Sequence, residues 1–161
     1  MKLYLLRHAI AHERGAGQRD ADRELTKEGR EKLSAVLKIA ARSGVTPSRI
    51  LTSPYLRARQ TAEIARDALG SEEALYETGT LTPESSPQMV WNELGDHRKE
   101  ESLLLVSHDP LLSNLVPFLL NAPALQFHFR KAAIVAMEIG NFAGEPDALL
   151  EWVLTPKLAG Q

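Results

Sequence analysis

The chain has 161 residues, 43% of them apolar, with a net charge of −2 and no cysteine. This length predicts one domain over residues 1–161, large enough to bury a core without staples. The near-neutral balance excludes a whole-chain basic field for nucleic acid or anionic lipid, and the missing thiols exclude disulfides, thiolate catalysis and zinc–thiolate sites.

Leu3 to Leu6 is a continuous apolar run, the pattern of a strand buried on both faces, and it stops at Arg7-His8. Ala11 to Asp22, with Gly15 and Gly17 among charged residues, predicts a polar loop. Thr26 reads as an N-cap with Glu28 in the first helical turn. Leu33, Val36, Leu37 and Ala40 then recur at helical spacing up to Gly44. Ile50 to Thr52 is a short strand. Ser53-Pro54 reads as N-cap and N1 of a helix whose inner stripe is Ala58, Thr61, Ala62, Ala65 and Leu69.

Ala74 to Glu77 predicts a short strand, and Ser86-Pro87 repeats the N-cap and N1 signal before Val90, Trp91 and Leu94. Leu103 to Val106 is a second fully buried strand. Asp109-Pro110 opens a helix with Leu112, Leu115, Val116 and Leu119 inside, which Pro117 must kink or shorten. Ala132 to Ile139 and Leu149 to Leu154 form a predicted antiparallel hairpin around Asn141 to Pro146. Alternation of strands and helices, with crossovers of a dozen residues or more, predicts an α/β fold with helices on both faces of a mostly parallel sheet. No run approaches a membrane span, and the N-terminal apolar run is too short for a signal peptide. The expectation is a soluble, cytoplasmic protein with neither membrane nor nucleic-acid partners.

Chemistry collects at three strand ends. The first ends in Arg7-His8, the second runs into Ser53-Pro54 and then Arg57, and the third into Ser107-His108. If these strands are parallel, Arg7, His8, Arg57 and His108 converge where open α/β sheets bind ligands. Taken singly, such an arginine is more often a surface ion-pair partner, and such a histidine a cap. Together they suit a phosphoryl group: two arginines give bidentate, permanently charged donors, and an unprotonated imidazole can attack phosphorus. His8 is the candidate nucleophile, and His108 a candidate donor to the transferring oxygens. No metal or other cofactor is required, because guanidinium groups can neutralise the phosphoryl charge. His12, His97 and His128 read as bystanders: no helix pairs His12 with His8, His97 sits in a charged loop, and His128 holds an exposed strand position. With an ordinary imidazole pKa near 6.5, activity falls on the acid side as His8 is protonated.

Four segments then resemble one family. Leu5-Leu6-Arg7-His8, Arg23-Glu24-Leu25-Thr26 with Gly29, Ser53-Pro54-Tyr55-Leu56-Arg57-Ala58-Arg59-Gln60-Thr61-Ala62 and Val106-Ser107-His108 resemble, in order, the motifs of the histidine phosphatase (phosphoglycerate mutase-like) superfamily. The size and spacing are most similar to the SixA-type phosphohistidine phosphatases. The resemblance implies a three-layer α/β/α sandwich, a mostly parallel sheet with an antiparallel edge hairpin. It implies that His8 is the phosphorylated nucleophile and that Arg7, Arg57 and His108 complete the phosphate pocket, with Arg23 a further substrate-binding candidate. Two positions depart from the pattern. Ala9 stands where the family usually has glycine, and Thr80 stands where relatives carry a carboxylate, leaving Glu77 as a candidate acid.

The weak acid match favours a phosphohistidine substrate, since a P–N bond with an imidazole leaving group needs less protonation than an alkoxide. The chain also lacks the long insertions that cap the site in mutases, which favours a phosphorylated protein such as a phosphotransfer domain in signal transduction. A small-molecule phosphomonoesterase with the same mechanism, and a weakly active phosphoprotein-binding module, are the alternatives.

Overall fold

The computed structural model describes residues 1–161. In chain order the elements are β1 (Lys2–Arg7), α1 (Lys27–Arg42), β2 (Arg49–Thr52), α2 (Leu56–Leu69), β3 (Tyr76–Glu77), α3 (Pro87–Asp96), β4 (Ser102–Ser107), α4 (Leu111–Leu119), β5 (Ile134–Ile139) and β6 (Ala148–Leu154). Single 3-10 turns lie at Asp20–Asp22 and Gly79–Leu81. The six strands form one sheet in the order β3-β2-β4-β1-β5-β6. The first four strands are mutually parallel, whereas β5 runs antiparallel to β1 and to β6.

Strand alternation divides the interior into two layers. Leu3, Leu5, Leu51, Leu103 and Leu105 face α3 and α4, packing with Trp91, Leu94, Leu112 and Leu115. Tyr4, Leu6, Ile50, Leu104 and Val106 face the other way, onto Leu33, Val36, Leu37, Ala58, Ala62 and Ala65 of α1 and α2. The result is the three-layer α/β/α sandwich, closed at one edge by the β5–β6 hairpin. No helix is long and apolar enough to cross a membrane.

Register places the site. Arg7 pairs with Ser107, and Thr52 with Val106, so β1, β2 and β4 end at one level. The ladder continues one residue further: His8 N–H donates to the Ser107 carbonyl at 3.0 Å, and Ser53 N–H to the Val106 carbonyl at 3.1 Å. Arg7, His8, Ser53 and His108 therefore emerge side by side.

Gly29 has a steric reason. It lies in the first turn of α1, capped by the Thr26 hydroxyl, which accepts from Gly29 N–H at 2.9 Å. A Cβ there would lie 2.3 Å from the Ile10 carbonyl oxygen. Only glycine lets α1 reach the segment that follows His8.

Some local expectations shift. α2 begins at Leu56, with Tyr55 at its N-cap and no side-chain cap. The Ser53 hydroxyl instead accepts from Tyr55 N–H at 3.3 Å and meets His108. α4 begins at Leu111 after a cis Asp109–Pro110 peptide, and it ends two residues beyond Pro117. His97 is the C-cap of α3, largely buried beside Glu93, so it is no solvated loop residue. His128 is exposed but precedes β5 and lies in no strand.

Candidate active site

His8 begins where β1 ends, and only 6% of it is exposed. Its Nδ1 lies 2.8 Å from the Ala9 carbonyl oxygen, which can only accept, so Nδ1 carries the proton in the neutral ring. Nε2 is left with its lone pair and accepts from Arg57 Nε at 3.2 Å. Burial, opposed by the Ala9 hydrogen bond and reinforced by Arg57, Arg7 and Lys131, pushes His8 down to about 3. The acid limb expected from an ordinary imidazole is therefore displaced well below pH 6.5, and activity that stays flat below pH 5 is compatible with His8 as nucleophile.

Ala9 does not obstruct this geometry. It is fully buried, its backbone avoids the positive-φ region, and its N–H donates to Thr61 Oγ1 at 3.2 Å. Thr61 in turn donates to the Arg57 carbonyl at 2.7 Å, so α2 grips the His8–Ala9 peptide.

Arg57 sits in the first turn of α2 and is 4% exposed. Its guanidinium lies 5.0 Å from the Tyr55 ring centroid, a cation–π contact. His108 is 1% exposed and stacks obliquely against His8, with ring centroids 4.9 Å apart. Its Nε2 is 2.8 Å from Ser53 Oγ, while its Nδ1 is buried without a partner. Burial, His8, Arg57 and Arg7 push it down to about 2, so it too is neutral near pH 7. Arg7 Nη1 donates to the Phe129 carbonyl at 2.5 Å and lies 3.8 Å from Asp109, while its Nε is buried and unpaired. Two orphaned buried nitrogens in one site are unusual, because buried polar atoms are nearly always paired.

The structure therefore brings Arg7, His8, Arg57 and His108 together. Arg23 reaches them through Asp20, which no sequence motif signalled. The Asp20 carboxylate accepts from Arg57 Nη2 at 2.9 Å and from Arg23 Nη1 at 2.9 Å. Its backbone carbonyl accepts from Arg57 Nη1 at 2.8 Å, and Arg23 Nε donates to the His12 carbonyl at 2.7 Å. The hydrogen bond from Arg23, outweighing partial burial and helped by Arg57, holds the Asp20 carboxyl below the usual range. The 11–22 segment is thus pinned across the arginines. Glu77 is engaged by another cation, with its carboxylate 2.9 Å from Arg59 Nε. Thr80 Oγ1 lies 3.3 Å from Glu93 Oε2. The sequence also did not mark Ser53 as the partner of His108, or Thr61 as the anchor of Ala9. No three histidine, cysteine or carboxylate side chains stand close enough to hold a metal ion.

The fold is shared with known proteins. Residues 3–80 match the Histidine phosphatase superfamily (branch 1). A protein of Picosynechococcus sp., itself uncharacterised, is 33% identical over 144 residues, covering 87% of this chain and 86% of that protein. The solved structure of the protein histidine phosphatase SixA complexed with tungstate is 28% identical, covers 98% of both chains and superposes with a TM-score of 0.87. An alpha-ribazole phosphatase from Shigella flexneri, 18% identical over 97% of both chains with a TM-score of 0.75, shares the fold.

Proposed function

Because the chain belongs to the histidine phosphatase superfamily, we propose that it hydrolyses phosphohistidine on a signalling protein by way of a phosphorylated His8. The observation that carries this reading is the fixed tautomer of His8, whose unprotonated Nε2 sits beside Arg57 while Nδ1 is tied to Ala9.

In the first step Nε2 of His8 forms a bond to phosphorus as the P–N bond to the substrate imidazole breaks. The departing nitrogen keeps the bonding electron pair and takes a proton from water. In the second step water adds to phosphorus, loses a proton, and displaces His8 as a neutral imidazole, releasing inorganic phosphate. Arg57 and Arg7 neutralise the phosphoryl oxygens. His108 Nδ1 and Arg7 Nε are buried without partners, and an incoming phosphoryl group gives both an acceptor. Arg23 acts through Asp20. No carboxylate of this proposal protonates the leaving group, since Glu77 is paired to Arg59 on the rim. An imidazole leaving group tolerates that lack. The proposal requires no metal and places the enzyme in the cytoplasm, a reducing compartment that suits a cysteine-free chain.

The test compares turnover of a phosphohistidine-bearing phosphotransfer domain with a panel of small phosphate monoesters, beside a His8→Ala control. Preference for the phosphoprotein, abolished in the control, is expected. Preference for one small ester moves the substrate to metabolism and keeps the mechanism. Binding without turnover of either class overturns the phosphatase reading.

A further inference from the structure

Beside the phosphate pocket lies an open cleft of about 610 Å³ lined by Ile10, Lys32, Arg130, Lys131, Thr155 and Lys157, among others. It shares walls with the catalytic group. Ile10 is two residues beyond His8, and the Ala132 N–H donates to the carbonyls of Arg7, at 3.2 Å, and His8, at 3.3 Å. Lys131 is close enough to lower the proton affinity of His8.

The charge of this cleft is one-sided. Lys32 is paired with Glu28 at 2.7 Å, but Arg130, Lys131 and Lys157 are exposed and have no carboxylate within ion-pair distance. They come from different parts of the chain, two from the approach to β5 and one from beyond β6. Folding has therefore gathered three unpaired cations at one side of the site in a protein whose net charge is −2. The proposed chemistry on His8 uses neither Arg130 nor Lys157.

We infer that this cleft is a docking subsite for acidic side chains that flank the phosphorylated histidine on a protein substrate. The inference rests on the proposed phosphatase reading and specifies its partner. Exposed cations on an open cleft, held by no side-chain hydrogen bond or ion pair, favour a protein surface over a single small anion. Flexible, exposed cations do not converge on one phosphate, but they steer a complementary acidic surface and set its orientation.

The experiment uses the full chain and the double variant Arg130→Glu/Lys157→Glu, which leaves Lys131 in place beside His8. The probes are an acidic phosphotransfer domain phosphorylated with phosphoramidate, and p-nitrophenyl phosphate. We expect KM for the phosphoprotein to rise about tenfold or more, in line with electrostatic steering, with kcat within about twofold. Turnover of p-nitrophenyl phosphate is expected to stay within twofold. Added salt is expected to raise KM for the wild-type protein and leave the variant nearly unchanged. Equal losses on both probes, or no loss on either, overturn the inference. A small bisphosphate serves as a third probe: a selective loss on it with the phosphoprotein unaffected also overturns the inference and reassigns the cleft to a second phosphate. Binding of the unphosphorylated domain is measured separately. If the wild-type enzyme fails to turn over the phosphoprotein, the phosphohistidine substrate reading fails. If wild type and variant bind the domain equally, the docking subsite fails.

Discussion

Asp20→Asn removes one charge from the site and little else. In the resting structure the Asp20 carboxylate holds Arg57 Nη2 and Arg23 Nη1, each at 2.9 Å, so an entering oxyanion must compete with it for Arg57. A hydrogen bond between charged groups is worth about 1.5–3 kcal/mol when well shielded. The Asp20 side chain is 42% exposed, so solvent screening reduces this to about 1 kcal/mol. Asparagine keeps the shape and the backbone carbonyl that accepts from Arg57 Nη1, and loses only the anion. At 1.4 kcal/mol per tenfold, inhibition by inorganic phosphate should tighten about fivefold in Asp20→Asn. The assay is competitive inhibition of p-nitrophenyl phosphate turnover at fixed ionic strength. Unchanged inhibition would mean that the carboxylate does not compete with the ligand. Weaker inhibition would mean that Asp20 holds Arg57 in position, and the competition argument would be refuted.

Two further outcomes concern stability. His8 and His108 have folded-state values of about 3 and about 2, below the usual 6.5, so near neutral pH both are uncharged in either state. As pH falls below about 6.5 the unfolded chain takes up protons that the folded chain refuses. Stability should therefore drop by about 1.4 kcal/mol per pH unit for each ring between about pH 5.5 and 4. Urea unfolding across that range should show a slope about 1.4 kcal/mol per unit shallower in His108→Gln, and parallel curves would contradict the assignment. Gly29→Ala, which sets a methyl 2.3 Å from the Ile10 carbonyl oxygen, should cost about 3 kcal/mol and lower Tm by about 6–12 °C. It should also impair turnover through the His8–Ile10 segment, and an unchanged Tm would show that α1 shifts freely.

The strands and helices that carry strong periodicity were legible. Leu3 to Leu6 and Leu103 to Val106 could only be doubly buried strands, and their ends announced His8 and His108. Boundaries set by side chains turning to another task were not legible. Ser53-Pro54 has the form of a helix start, yet the serine hydroxyl meets a histidine that follows β4, two strands later in the chain. Asp20 was invisible for a related reason. An acid in a polar, glycine-containing loop carries no periodicity, and its partners Arg23 and Arg57 are defined only when the loop folds back across α2. The depression of the two histidines was hidden too, since it arises from burial among arginines.

The direction of β5 has a consequence for how such a site can diversify. The parallel strands deliver their exits to the candidate site, but β5 delivers its entrance, so the residues on the approach to it, Phe129 to Ala132, lie against Arg7 and His8. That approach begins at a surface stretch after α4 that belongs to no helix or strand. Between Asn121 and His128 its length and side chains can change without altering a ladder bond or a fully buried residue. Under the proposed function, selectivity for the group bearing the phosphate can vary on the approach to β5 while the chemistry of its removal stays on the ends of β1, β2 and β4.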